Sequence, residues 1–146
     1  MSIQDVIAGL PRPKPLRLRE TALFLDLDGT LAPIAARPQD VRPDPRRTSL
    51  LEHLAQRLDG RLAVISGRTL TDVDRILETC VTSVAAVHGL VRRGPDGQVA
   101  KAPPHPAIAR AAEVFGAFAA RDSGLIVEEN AGLWVALHYR LAAGFA

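Results

Sequence analysis

Short apolar runs alternate with helical repeats in the first part of the chain, and this alternation constrains the fold more than any other feature. The runs lie at 21–30, 61–65 and 84–87, and each is typical of a short buried strand. Between them, residues 48–58 and 70–79 carry apolar side chains at helical spacing. This β-α-β-α-β order predicts an α/β fold with a parallel, Rossmann-like sheet, and we expect its first strand to be buried on both faces.

The pattern changes near residue 90. Residues 90–101 contain a Gly-Pro-Asp-Gly turn signal between short strands, which predicts a hairpin. A helix is expected over 107–120, with its apolar side chains on one side, and two paired strands over 125–128 and 133–139. The later part of the chain therefore reads as antiparallel sheet plus helix.

These patterns divide the chain into three parts. Residues 1–20 form a proline-containing lead-in, with a short helix expected over residues 3–10. Residues 21–90 form the first part of an α/β core, and residues 91–146 form a partial α+β unit.

Composition excludes several classes of protein. Apolar residues make up 47% of the 146 residues, which is enough for a folded core, and the formal net charge is only +2. The apolar stretches fall far short of the roughly 20 residues that span a bilayer, and no secretory signal is visible. The basic residues are scattered without interleaved aromatic side chains, so we expect neither a nucleic-acid nor a membrane partner. Cys80 is the only cysteine, which rules out an internal disulfide and fits the cytoplasm.

Two carboxylates stand two positions apart where the first strand ends. Asp26 and Asp28 are followed by Gly29, which allows a turn, and by Thr30, whose hydroxyl and amide suit phosphate oxygens. Such a pair can supply a nucleophile and a proton carrier, and with a carbonyl it can hold Mg²⁺. A plain turn with an aspartate cap would contain the same Asp28-Gly29 sequence. These two residues alone therefore fit both a catalytic site and an ordinary turn.

Ser66, Gly67 and Arg68 follow the second strand. Since the functional groups of open α/β sheets collect at the carboxyl ends of the strands, we expect these residues near Asp26 and Asp28. A hydroxyl and amides at the start of a helix form an anion site, and the planar fork of Arg68 suits phosphate. The alternatives are an N-cap serine and a solvated arginine at the helix start.

The segment Asp-Leu-Asp-Gly-Thr-Leu at 26–31 resembles the first motif of the haloacid dehalogenase superfamily of phosphohydrolases. The resemblance implies that Asp26 attacks phosphorus to form an aspartyl phosphate. Asp28 would protonate the leaving oxygen and then deprotonate the attacking water. The resemblance also implies that Asp26 and Asp28 are ligands of a Mg²⁺ cofactor, and that Ser66 hydrogen-bonds the transferring phosphoryl group.

A further set of segments is similar to the trehalose-6-phosphate phosphatase family. The sequence reads Asp-Gly-Thr-Leu-Ala-Pro at 28–33, Val-Ile-Ser-Gly-Arg at 64–68, Ala-Val-His-Gly-Leu at 86–90 and Leu-Trp-Val-Ala-Leu-His-Tyr-Arg at 133–140. The resemblance extends over about residues 21–140. It implies a phosphohydrolase that converts trehalose 6-phosphate into trehalose, with a small-molecule sugar phosphate as its partner.

The same resemblance implies a cap, inserted after the third strand, that closes over the disaccharide. His88 and Gly89 would lie at the junction of core and cap, and Glu129 and Arg140 in the cap would face the sugar. A surface carboxylate and a strand-end arginine are the alternatives for the last two. The family commonly has Glu-x-Lys in the turn between the two last predicted strands, whereas Ala131 stands where the lysine is expected.

Two further motifs of the superfamily, a lysine and an acidic pair that completes the magnesium site, have no match in the sequence. We therefore expect a partial core, incomplete on its C-terminal side, with an inserted α+β cap. We expect the chain alone to be a truncated fragment with little or no activity, able to associate through an exposed sheet edge. The alternatives are another sugar-phosphate phosphatase of the superfamily and a non-catalytic module that binds a phosphosugar or a protein partner.

Overall fold

The computed structural model describes residues 11, 14–35, 37–130, 132–139, 141, 142 and 144 of the chain. The helix that the sequence predicts over residues 3–10 lies outside these residues, as do Ala131 and Arg140. Within the described ranges, no helix has the length and apolar character needed to cross a membrane.

Strands and helices alternate through the first part of the chain, as the sequence predicts, and a helix precedes two final strands. In chain order the elements are β1 (Leu23–Asp26), α1 (Pro45–Arg57), β2 (Leu62–Ile65), α2 (Leu70–Leu77), β3 (Ser83–Ala86), β4 (Val91–Arg93), β5 (Val99–Lys101), α3 (Pro106–Ala119), β6 (Ile126–Asn130) and β7 (Trp134–His138). The predicted α/β fold class is confirmed.

The first five strands form one sheet in the order β1-β2-β3-β4-β5. β1, β2 and β3 are parallel, with Asp26 beside Ile65 and Ile65 beside Ala85 at their carboxyl ends. β4 and β5 form the predicted hairpin and add two antiparallel strands next to β3. The ends of β1 and β2 therefore open on the same edge of the sheet, which is where parallel α/β sheets carry their sites.

Polar caps determine where the helices begin. Asp44 caps α1, since its Oδ1 accepts a hydrogen bond at 2.9 Å from the backbone N–H two residues further on, and Pro45 occupies the first helical position. Thr69 caps α2 and accepts a hydrogen bond from Asp72 N at 3.1 Å. α1 begins before the predicted Thr48 because its cap and proline precede the apolar repeat.

The hydrophobic core lies on one face of the five-stranded sheet, against α1 and α2. Its buried side chains come from both helices and from the strands and turns: Leu27, Leu51, Leu58, Leu62, Val64, Val73, Ile76, Leu77, Val84, Ala86 and Val91. Arg47 of α1 is also buried, and its guanidinium donates to the carbonyls of Leu31, Arg42 and Ile76. These hydrogen bonds join the loop after β1 to both helices.

The opposite face of the same sheet is open in the part of the chain that the structure describes. Phe24 and Ile65 are 65% and 44% exposed. They belong to a shallow apolar groove lined mainly by Phe24, Ala63, Ile65, Ser83, Ala85, Arg92 and Ala100. The prediction that β1 is buried on both faces is wrong, because Leu23 and Leu25 pack on the core while no described element covers Phe24.

β6 and β7 form a separate antiparallel pair, and α3 packs against both strands. The apolar positions predicted for one side of α3 are half-buried, as the sequence predicts: Ile108, Ala111, Ala112, Phe115 and Phe118. The domain division that the sequence places near residue 90 stays a prediction. The hairpin that this division assigns to the second unit is hydrogen-bonded to the first sheet.

Candidate active site

Asp26 is the last residue of β1 and is exposed at the carboxyl edge of the sheet. Its register partner is Ile65, the last residue of β2, which Ser66 follows directly in the chain. Asp26 therefore lies beside the start of the Ser66 loop. Asp26 Oδ1 accepts a hydrogen bond from Leu27 N at 2.8 Å, which holds the carboxylate at the end of the strand. A carboxylate held there is available to act as a nucleophile.

A tight turn follows β1 and carries Asp28. The carbonyl of the buried Leu27 accepts hydrogen bonds from Leu31 N at 3.0 Å and from Ala32 N at 2.8 Å. Gly29 has a φ of +84°, the left-handed conformation that favours glycine. The turn predicted at Gly29 is therefore confirmed, and Asp28 stands within it.

Ser66 lies directly after β2 and is only 3% exposed. Its backbone N donates to the Ala85 carbonyl at 2.8 Å, and its Oγ accepts a hydrogen bond from Arg68 N at 3.1 Å. Since Thr69 is the N-cap of α2, the alternative interpretation of Ser66 as the helix cap is wrong. Thr30 is exposed in the turn after β1, and its role as a phosphate ligand stays a prediction.

Arg68 and Asp28 form a two-pronged ion pair between the ends of β2 and β1. Arg68 Nε donates to Asp28 Oδ2 and Arg68 Nη2 to Asp28 Oδ1, both at 2.8 Å, while Nη1 donates to the Pro38 carbonyl at 2.7 Å. The Arg68 side chain is 11% exposed, so the alternative of a solvated arginine is wrong. The hydrogen bond to Asp28 raises the pKa of Arg68 above its ordinary value, against the opposing effect of burial.

Residues 87–89 form a strained turn after β3, with φ values of +52°, +53° and +88° in order. The first is a valine, and β-branched residues rarely adopt this conformation. Its N–H donates to the Arg68 carbonyl at 2.9 Å, and the N–H of His88 donates to the Ser66 carbonyl at 3.1 Å. A Cβ at Gly67 would lie 2.6 Å from His88 Cε1, so the imidazole covers this glycine. The strained turn therefore ties the ends of β2 and β3 together.

The second sheet carries an acidic residue that sequence reasoning missed. Glu128 Oε2 lies 2.8 Å from His138 Nε2 across the β6–β7 pair. The negative charges of Asp28, Asp72 and, after them, Glu128 each raise the pKa of Arg68. Glu129 is exposed and, as the next residue of the strand, points to the other face. The contact of Glu129 with a sugar stays a prediction. Arg140, the other predicted contact, lies outside the described residues.

Asp26 and Asp28 offer hard oxygen donors of the kind that Mg²⁺ prefers. Among the residues that the structure describes, no group of three or more Asp, Glu, His or Cys side chains could hold a metal ion. Both carboxylate oxygens of Asp28 also bind Arg68. The described residues therefore offer carboxylate oxygens of the kind that a metal ion binds, but they form no complete metal site.

Comparisons with known proteins identify the family of the chain. Residues 24–144 match the family model described as trehalose-phosphatase. A probable trehalose-phosphate phosphatase of Sinorhizobium fredii is 40% identical over 121 residues, which are 83% of this chain and 45% of that protein. A trehalose-6-phosphate phosphatase of Escherichia coli is 38% identical over 122 residues, 83% of this chain and 46% of that protein. The solved C-terminal domain of the C. albicans trehalose-6-phosphate phosphatase has a TM-score of 0.69 at 20% identity, covering 81% of this chain and 42% of that one.

The parallel strands, Asp26 at the end of β1, Asp28 in the turn after it and the Ser-Gly-Arg segment after β2 are those of a haloacid dehalogenase chain with a partial core. The similarity to the solved C. albicans structure supports the fold of the chain. The sequence matches identify the family within the haloacid dehalogenase class. The chain belongs to the trehalose-phosphatase family. It spans about half the length of the curated relatives it matches.

Proposed function

We propose that this chain carries the nucleophile-bearing half of a phosphatase that removes phosphate from trehalose 6-phosphate to give trehalose. The observation that carries the proposal is the position of Asp26 beside the Ser66 loop, at the carboxyl ends of β1 and β2, within a stretch that matches the family. The names of the S. fredii and E. coli relatives support the choice of substrate.

The proposed chemistry uses two carboxylates in turn. An oxygen of Asp26 attacks the phosphorus, the bond from phosphorus to the sugar oxygen breaks, and an aspartyl phosphate forms. Asp28 gives a proton to the departing oxygen, so trehalose leaves as a neutral alcohol. Asp28 then takes a proton from water, whose oxygen attacks the phosphorus and releases inorganic phosphate and free Asp26.

Thr30, Ser66 and Gly67 are the proposed donors to the phosphoryl oxygens, through hydroxyl and amide groups. Mg²⁺ is the proposed cofactor, and Asp26 and the Asp28 carbonyl would supply part of its oxygen ligands. When bound, it neutralises part of the phosphoryl charge. A cytoplasmic location is part of the proposal, because a single cysteine fits a reducing compartment.

The sequence predicts a division near residue 90, and we propose instead that the core extends to Lys101, because β5 pairs with β4 in the first sheet. The cap then begins with α3, and its strand region carries Glu129 and Arg140 as proposed contacts of the sugar. His88 and Gly89, directly after β3, lie on the core side of the junction.

A rebuilt enzyme tests the substrate. A fusion protein joins residues 21–144 to the part of the S. fredii relative that lies beyond the matched region, and the fusion is assayed with Mg²⁺. We expect kcat/KM for trehalose 6-phosphate to exceed that for glucose 6-phosphate by at least about 100-fold, because a closed sugar site rejects a missing ring. Hydrolysis of other sugar phosphates without hydrolysis of trehalose 6-phosphate would point instead to another sugar-phosphate phosphatase.

The isolated 146-residue chain is the matched control. We expect its turnover to be at least about 100-fold below that of the fusion, because phosphoryl transfer depends on complete positioning and charge neutralisation. Equal turnover by the two proteins would show that this expectation is wrong.

One observation favours a second candidate, a non-catalytic module that associates through the open face of the first sheet. Phe24 is 65% exposed on the edge strand β1, and such strands and patches pair with other chains. Light scattering of the isolated chain and of Phe24→Ser tests this candidate. Self-association that Phe24→Ser abolishes, together with an inactive fusion, would favour the module, whereas a monomer at every concentration would exclude self-association.

A further inference from the structure

The ion pair between Arg68 and Asp28 occupies the part of the guanidinium that is best suited to an oxyanion. Nε and Nη2 each donate to one carboxylate oxygen, and Nη1 donates to the Pro38 carbonyl. A phosphoryl group that binds arginine in a two-pronged manner needs the same pair of parallel N–H groups. In this structure the Asp28 carboxylate already accepts hydrogen bonds from both of these N–H groups.

We propose that Arg68 is a positioning residue for Asp28 and not a ligand of the phosphoryl group. The proposal rests on the proposed function, which assigns Asp28 as the proton carrier. Arg68 donates one hydrogen bond to each carboxylate oxygen of Asp28, which fixes the plane of the carboxylate. Each oxygen keeps a second lone pair for proton transfer. A lysine would keep the charge and lose the planar fork, so it would not fix that plane.

The surroundings show which partner is held more firmly. Arg68 N donates to Ser66 Oγ at 3.1 Å, and the Arg68 carbonyl accepts from Val87 N at 2.9 Å. The Arg68 side chain is 11% exposed, whereas that of Asp28 is 37% exposed. The backbone of Arg68 is thus fixed to the ends of β2 and β3. Its side chain in turn holds the Asp28 carboxylate on the turn after β1.

A second ion pair provides a matched control. Arg93 Nη1 and Nη2 donate to the two carboxylate oxygens of Asp74, both at 2.8 Å, and Arg93 also donates to the Val81 and Thr82 carbonyls. This pair links β4 to α2 and includes none of the candidate site residues. Arg93→Lys therefore removes a comparable guanidinium fork without touching Asp28.

The first test uses the full 146-residue chain and needs no turnover. The side-chain Nε–Hε resonance of Arg68 is followed by NMR and assigned by its loss in Arg68→Lys. We expect Asp28→Asn to shift this resonance and to remove its protection from exchange with water. We expect saturating inorganic phosphate to shift the Ser66 and Gly67 amides and to leave the Arg68 resonance unchanged.

The NMR outcomes separate the two proposals. A shift of the Arg68 resonance on adding phosphate, or no response to Asp28→Asn, would overturn the positioning role. If phosphate moves no resonance of this chain or of the fusion, the proposed function loses its support, while the effect of Asp28→Asn still decides whether Arg68 holds Asp28.

The second test compares two esters in the fusion. The sugar oxygen of trehalose 6-phosphate needs a proton to leave, whereas p-nitrophenyl phosphate releases a stable phenolate that needs none. For Arg68→Lys we expect kcat/KM for trehalose 6-phosphate to fall by about 100-fold and that for p-nitrophenyl phosphate by less than about 3-fold. Arg93→Lys should leave the ratio of the two values unchanged.

A phosphate ligand would give a different pattern, because both esters share the same phosphoryl group. Equal losses on the two esters in Arg68→Lys would overturn the positioning role, as would a gain on trehalose 6-phosphate, which would show that Arg68 restrains Asp28.

Discussion

Asp26 on β1 and Ile65 on β2 are register partners, and Ser66 follows Ile65 directly in the chain. The parallel pairing therefore brings the acidic turn and the serine loop to one edge of the sheet. A shift of the register by one residue would turn every side chain of β1 to the opposite face and separate these groups. The candidate site thus depends on strand pairing as much as on the identity of its residues.

Arg47 joins the loop after β1 to α1 and α2, and it is only 8% exposed. We expect Arg47→Met to lower the free energy of unfolding by about 2–4 kcal/mol, because the buried Ile76 carbonyl and two part-buried carbonyls lose their donor. The exposed neighbour Arg46 is the control, and Arg46→Met should change that free energy by less than about 0.5 kcal/mol. Urea unfolding followed by the fluorescence of Trp134 measures both. Similar values for the two variants would argue against this role of Arg47.

Gly89 has a φ of +88°, and a Cβ there would meet no atom within 4 Å. We expect Gly89→Ala to lower the free energy of unfolding by about 1 kcal/mol through backbone strain alone. Gly116 is helical in α3 with equally open surroundings, so Gly116→Ala should raise it by about 0.5–1 kcal/mol. Thermal and urea unfolding test the pair, and effects of the same sign would show that conformation is not the cause.

The imidazole of His88 lies over Gly67, where a Cβ would come within 2.6 Å of Cε1. We expect Gly67→Ala to displace the exposed ring at a cost of about 1 kcal/mol or less, and His88→Ala to remove that cost. A double-mutant cycle of unfolding free energies should give a favourable coupling of about 0.5–1 kcal/mol. Strictly additive effects would mean that the two residues are not in contact.

Several parts of the fold could be predicted because they depend on local patterns. The parallel strands, the turn at Gly29 and the inner face of α3 follow from apolar runs, glycine and helical spacing. The exposure of Phe24 could not be predicted in this way. An apolar run is typical of a strand buried on both faces, yet burial of the second face needs another element to pack on it.

The missed features of the site depend on contacts between distant parts of the chain. The sequence predicts that Arg68 lies near Asp28, but the two residues are 40 positions apart and no local pattern indicates their two-pronged ion pair. The positive φ of Val87 runs against the preference of a β-branched residue. Its hydrogen bond to the Arg68 carbonyl gives the physical reason, and no pattern in the sequence indicates that bond.

Burial raises the pKa of the Cys80 thiol above its ordinary value, with a smaller contribution from Glu52. The thiolate is the reactive form, so below the raised pKa the folded chain holds less thiolate than the unfolded chain at the same pH. We expect this single cysteine to react with a disulfide reagent at about pH 8 at least about tenfold more slowly in the folded chain than in urea. The difference should shrink as the pH rises through the raised pKa, and equal rates at every pH would contradict the effect of burial.

The proposed function makes Asp26 the nucleophile of a phosphatase that acts on trehalose 6-phosphate. The most direct measurement is an acid quench of the fusion during turnover of trehalose 6-phosphate carrying a radiolabelled phosphoryl group, followed by peptide mapping. We predict label on the peptide that contains Asp26, formed at least as fast as turnover, and neither label nor turnover in Asp26→Asn. Label on a different residue, or full turnover by Asp26→Asn, would contradict the claim.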